Sequence, residues 1–86
     1  MNFLKYELNL GAQDAVKVVL SNQANVRLMD YSNFQAYRSG RRHTYYGGHA
    51  TVSPFVVRPP HAGQWYLAID LGGYGGSVNA SVSVIK

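Results

Sequence analysis

Gln64-Trp65-Tyr66-Leu67-Ala68-Ile69-Asp70-Leu71, then Gly72-Gly73-Tyr74-Gly75-Gly76, then Ser77-Val78-Asn79-Ala80-Ser81-Val82-Ser83-Val84 decide the fold class. Trp65, Leu67, Ile69 and Leu71 alternate with Gln64, Tyr66, Ala68 and Asp70. After the glycine-rich loop, Val78, Ala80, Val82 and Val84 alternate with Ser77, Asn79, Ser81 and Ser83. Successive side chains leave a strand on opposite faces, so a period of two marks a half-buried strand. Two such strands on either side of a short loop predict an antiparallel hairpin.

The same period recurs upstream. Leu4, Tyr6, Leu8 and Leu10 alternate with Phe3, Lys5, Glu7 and Asn9, and Gly11 with Gln13-Asp14 closes that strand. Val16, Val18 and Leu20, a turn at Ser21-Asn22-Gln23, then Ala24, Val26 and Leu28 predict a second hairpin. The period changes after Asp30. Ser32 can cap a short helix, with Asp30 as the alternative; Phe34 and Tyr37, three apart, share one face, and Gly40 ends it. Thr44-Tyr45-Tyr46 reads as a brief strand halted by Gly47-Gly48, and Val52 to Arg58 as an edge strand, irregular at Pro54 and stopped by Pro59-Pro60. The expectation is all-β: a small antiparallel β-sandwich or barrel of six to seven strands, with one short helix near residues 32–38, in a single domain over residues 1–86.

Composition narrows the rest. A chain of 86 residues buries only roughly 60% of the surface that its unfolded form exposes. No cysteine is present to staple it or to bind metal through thiolates. Hydrophobic residues make up 47% and charged ones 14%, which excludes a disordered composition. No apolar stretch approaches the ~20 residues that span a bilayer, and the first residues lack the apolar core of a signal peptide. A cytoplasmic protein without membrane partners is expected. The net charge of +4 permits phosphates or an acidic partner without demanding them.

Three phrases carry a family resemblance: Asn25-Val-Arg-Leu-Met-Asp-Tyr-Ser-Asn-Phe-Gln-Ala-Tyr37, Tyr45-Tyr-Gly-Gly-His-Ala50 and Gly63-Gln-Trp-Tyr-Leu-Ala-Ile-Asp-Leu-Gly-Gly-Tyr74. In these the chain resembles, over nearly its full length, the bacterial family called domain of unknown function 1883. The resemblance implies a small all-β module, found alone or joined to Toll/interleukin-receptor-type domains. It brings no catalytic residues with it, and such company implies recognition more than chemistry.

Tyr37-Arg38-Ser39-Gly40-Arg41-Arg42-His43-Thr44-Tyr45-Tyr46 mixes three arginines and a histidine with three tyrosines. That mixture suits pairing with phosphates and stacking on bases or sugars; the plainer reading is a solvated loop with one tyrosine turned inward. The glycine-rich loop lacks the helix that a phosphate-binding loop runs into, so it reads as a turn that can also offer Tyr74 to a ligand. His43, His49 and His61 match no metal-ligand spacing. Ser53, Ser77 and Ser81 lack a nucleophile motif, and Glu7, Asp14, Asp30 and Asp70 are scattered, so no enzyme, metal or cofactor is expected. Asp30 and Asp70 follow apolar runs and are expected to accept backbone N–H bonds; Trp65 is expected in the core, and His49 and His61 in loops bonded to backbone.

The reading that follows is a non-catalytic module presenting Arg41, Arg42, Tyr45, Tyr46, His49 and Tyr74 to a small anionic ligand, a glycan or a protein partner. The alternatives are single-stranded nucleic-acid binding and oligomerisation. The uncharged Ser77, Asn79, Ser81 and Ser83 face also suits a homodimer through the C-terminal strand.

Overall fold

The computed structural model describes residues 3–72 and 78–86. Through them run β1 (Leu4–Leu10), β2 (Ala15–Leu20), β3 (Ala24–Met29), α1 (Tyr31–Arg38), β4 (Tyr46–Ala50), β5 (Phe55–Val57), β6 (Gly63–Asp70) and β7 (Ala80–Ile85). Two antiparallel sheets result, one ordered β1-β6-β3-β4 and the other β5-β2-β7. Seven strands in two facing sheets make a sandwich; neither sheet closes into a barrel.

Neither expected hairpin forms. β6 pairs with β1 and β3, whereas β7 pairs with β2 in the other sheet. β2 and β3 are likewise split between the sheets. Alternation reports which side chains face the core and is blind to which strand lies alongside. A three-residue link such as Ser21-Asn22-Gln23, extended, spans ~10 Å, about the gap between stacked sheets. It can therefore bridge sheets as readily as it can turn within one. Every connection except β3–α1–β4 crosses between the sheets.

Leu10, Val16, Val18, Ala24, Val26, Leu28, Ala50, Val57, Trp65, Leu67 and Ile69 fill the space between the sheets. Trp65 is buried as expected, and its Nε1 donates to the His61 carbonyl (3.1 Å). A smaller second core lies on the outer face of the four-stranded sheet, where α1 packs Phe34 and Tyr37 against Met29 and Ala68, with Phe3 and Tyr66 at its margin. This explains why Ala68 and Asp70 are buried although they sit on the polar side of the β6 alternation. The helix covers them.

Asp30, not Ser32, caps α1. Its backbone is extended (φ −75°, ψ 176°), and its carboxylate accepts from the Asn33 N–H (2.9 Å) and Nδ2 (3.0 Å). Ser32 already lies in the first turn. At the other end Gly40, at φ 75°, lets Arg41 N–H reach the Ala36 carbonyl (2.8 Å) and its own N–H reach that of Tyr37 (3.1 Å). That pair of bonds is a Schellman cap.

Gly47-Gly48 does not end a strand; both residues lie inside β4. A Cβ on Gly47 would stand 2.3 Å from the Val26 carbonyl oxygen, so the glycine is there because β4 comes too close to β3 for a side chain. β5 is shorter than the expected segment, Phe55–Val57 only, with Pro54 just before it on a sheet edge. No helix among the described residues is long and apolar enough to cross a membrane.

Candidate functional site

The outer face of the four-stranded sheet carries one polar cluster. Register places Asn25 opposite Asp70, Arg27 opposite Ala68 and Met29 opposite Tyr66 across β3 and β6. On the far side of β3, Arg27 faces Gly47 and Asn25 faces His49. The small Ala68 and Gly47 on either side of Arg27 leave room for rings. The guanidinium lies over the Tyr37 ring at 5.4 Å and the Tyr45 ring at 5.1 Å.

Asp70 is the hub, 3% exposed. Its Oδ1 accepts from Asn25 Nδ2 (3.0 Å) and Gly72 N–H (2.8 Å), and its Oδ2 from Tyr37 Oη (2.6 Å) and Arg27 Nη1. Four donors occupy the roughly four lone-pair positions of a carboxylate. Asp70 therefore has none left to take a proton from a ligand: it holds the cluster together. Arg27 Nε is buried without an acceptor among the described residues; flanking rings offset part of the ~1–3 kcal/mol that such an orphan costs.

Burial pushes the Asp70 carboxyl up, but hydrogen bonds from Tyr37, Asn25 and Gly72 and the Arg27 charge outweigh it and hold the group below its ordinary range. Burial and the neighbouring carboxylate push the Tyr37 hydroxyl well above its ordinary value. The signs give two limbs to a stability profile. Asp70 contributes stability above the unfolded value of ~4, and that contribution is lost as pH falls through its lower folded value. Tyr37 contributes fully below ~10, and its share fades as pH rises from there toward its raised folded value. Urea titrations should thus show a Tyr37→Phe variant less stable than the parent at neutral pH, with the gap narrowing above pH ~10. A gap constant across that range would contradict the assigned bond.

Asn25 extends the cluster outward. Because its Nδ2 is committed to Asp70, its Oδ1 faces the exposed His49, whose Nδ1 must donate (3.1 Å). His43, half-buried, sets its ring against Tyr37 (5.2 Å) and Tyr45 (5.7 Å), with its Nδ1 on the Arg41 carbonyl (3.0 Å). Thr44 N–H and Oγ1 donate to Asn33 Oδ1 (2.9 and 3.1 Å), tying the segment to the start of α1. The link from helix to β4 is therefore pinned at both ends, and Arg41 and Arg42 stand exposed between the pins.

Of the residues expected to form a site, Tyr45 and His49 join this face, and Arg41 and Arg42 border it. Tyr46 points to the other side of β4, edge-on to Trp65 at 6.0 Å, and Tyr74 lies outside the described residues. His49 is a strand residue bonded to a side chain, not a loop residue on backbone; His61 does contact backbone, with its Nδ1 at 3.0 Å from the Ala62 carbonyl. Among the described residues, no three His, Cys, Asp or Glu side chains gather as metal ligands would. Sequence reasoning missed Arg27, Asn25 and the inward hydroxyl of Tyr37. The available signal was a lone arginine in one apolar strand and a lone aspartate in another, in a chain with only 14% charged residues.

The charge balance is uneven. Glu7 pairs with Lys5 (3.7 Å), Asp14 with Lys86 (3.2 Å), Asp70 with Arg27, and Asp30 caps the helix. Those are all four acids of the chain. Arg38, Arg41 and Arg42 have no ion pair among the described residues. Arg38, in the last turn of α1, is also placed to complement the helix dipole.

No curated protein and no solved structure matches the chain. The profile of the family described as Domain of unknown function (DUF1883) matches residues 1–86, so the chain belongs to that family.

Proposed function

We propose that this domain is a non-catalytic, cytoplasmic recognition module that holds an anionic group of a small ligand or protein partner on the surface made by Arg41, Arg42, Tyr45 and His49, with Arg38 alongside. One observation carries the reading: all four acidic side chains are engaged elsewhere, so three arginines within five residues have no ion pair among the described residues, beside a ring already fixed over Arg27. Guanidinium groups pair with carboxylate and phosphate oxygens two bonds at a time. The saturated state of Asp70 fits a scaffold that positions and does not transform. Single-stranded nucleic acid is the lesser reading, because the Tyr45 ring lies against Arg27 on the outer face while Tyr46 turns to Trp65 on the other, so the two cannot offer successive bases one platform.

The test is an amide-resolved NMR titration with pyrophosphate, an acidic peptide and a single-stranded oligonucleotide at low and near-physiological salt. Shifts are expected at Arg41, Arg42, Tyr45 and His49 with one of the first two probes, and are expected to vanish in an Arg41→Ala/Arg42→Ala variant. If the oligonucleotide is the binder, three phosphate contacts predict a log–log salt slope near ~2, falling toward ~0.7 in the variant. Binding that the double substitution leaves untouched would remove this surface from consideration.

A further inference from the structure

The four sheet edges are not equally guarded against a second strand. β5 has only three residues, with Pro54 before it and Pro59-Pro60 soon after. β4 carries Gly47 and Gly48 at φ 128° and 155°, which depart from a regular strand. β1 places Lys5 and Glu7 on its outer face. Prolines, irregularities and charges are the usual devices that keep edges from pairing. β7 has none of them: Ala80-Ser81-Val82-Ser83-Val84-Ile85 is regular, uncharged and free of proline and glycine. Among the described residues only β2 pairs with it, so its other edge presents unpaired N–H and C=O groups. Its inward side chains tell the same story. Ala80, Val82 and Val84 are half-buried, whereas Val16 and Val18 on β2 beside them are fully buried.

We propose that β7 is the seam of a homodimer, in which a second copy of this chain pairs antiparallel with it about a two-fold axis. The two three-stranded sheets then join into one of six. A two-fold axis normal to the sheet keeps inward residues opposite inward ones, so it falls on a residue; Val82, the inward residue nearest the middle of β7, then faces Val82 of the partner subunit. Ala80 then meets Val84 and Ser81 meets Ser83, apolar against apolar and hydroxyl against hydroxyl. The strand is complementary to itself, and this is why a second copy is the occupant.

A chain of net charge +4 resists self-association only where like charges meet, and here they do not. Lys86, the nearest cation in sequence, is held by Asp14 of its own chain at 3.2 Å. Lys17 sits one strand back, opposite Ser83, which places it about three strand spacings, ~14 Å, from its counterpart. That exceeds the ~8 Å screening length at physiological salt. The seam belongs to the three-stranded sheet and the proposed anion surface to the other, so the two proposals stand or fall separately.

Sedimentation equilibrium from about micromolar to about millimolar concentration tests this, with circular dichroism at the dilute end to verify folding. The parent chain is expected to pass from monomer to dimer. Ser81→Lys/Ser83→Lys, on the exposed face, should weaken the dimer by at least about tenfold, since lysines then oppose lysines across the seam. Ser81→Glu/Ser83→Lys should restore it, because the antiparallel register sets position 81 against position 83. A monomer at every concentration would overturn the proposal. So would a dimer indifferent to the lysine pair, a failure of the glutamate–lysine pair to restore it, or open-ended aggregates in place of a closed dimer.

Discussion

Asp70→Ala is expected to lower stability by about 3–5 kcal/mol, the usual consequence of removing one partner of a buried ion pair. The substitution leaves the Arg27 guanidinium, the Tyr37 hydroxyl, the Asn25 amide and the Gly72 N–H without the acceptor that all four now share. At ~0.05–0.15 kcal/mol per residue, an 86-residue chain holds only about 4–13 kcal/mol in total. The variant should therefore lose a large share of the stability the chain holds. With ~4–8 °C per kcal/mol for a domain of this size, its Tm should fall by roughly 12–40 °C. Asp30→Ala is the matched comparison, because it also removes a carboxylate that accepts a backbone bond, but from an exposed helix cap worth about 1 kcal/mol. Asp70→Asn should fall between the two, since it keeps an acceptor and loses the charge. Urea denaturation of the three variants decides the matter: if Asp70→Ala cost no more than Asp30→Ala, Asp70 would not be the hub of the cluster.

What the sequence disclosed and what it withheld divide along a physical line. The strands were legible, because burial on one face imposes a period of two wherever the chain is extended, and Trp65, Leu67, Ile69, Val26 and Leu28 all obey it. The pairing of those strands was not. β6 with β7 and β2 with β3 read as hairpins because each couple is close in sequence, yet short links cross the sandwich at almost every step. Gly47-Gly48 misled for a related reason: a glycine pair marks either a break in a strand or a place where two backbones meet, and composition does not distinguish them. The candidate site was half legible. Arg41, Arg42, Tyr45 and His49 stand out by type, but Arg27 and Asp70 are brought together only by the β3–β6 register, 43 positions apart in the chain.

Gly47→Ala is expected to be the most damaging glycine-to-alanine change among the described residues, and the reason lies in two independent penalties. At φ 128° an L side chain is strained by about 1–3 kcal/mol. The added Cβ would also meet the Val26 carbonyl oxygen at 2.3 Å, and a backbone atom in a paired strand cannot rotate away as a side chain would. Relief requires β4 to move off β3, which strains the ladder from Ala24–Ala50 to Leu28–Tyr46. The overlap adds a further ~1–3 kcal/mol, for a total of about 2–6 kcal/mol and a Tm lower by at least ~8 °C. Gly40→Ala isolates the first penalty, since Gly40 also has positive φ (75°) but nothing within 4 Å of the added atom; about 1–2 kcal/mol is expected there. Equal losses from the two substitutions would mean that β4 does not approach β3 so closely. The comparison also reaches the candidate site. Tyr45 directly precedes β4, and its ring lies over Arg27, whose register partner is Gly47. A strand displaced at Gly47 should carry Tyr45 away from the guanidinium, so any anion bound beside that ring should be held more weakly in Gly47→Ala than in Gly40→Ala, even where both remain folded.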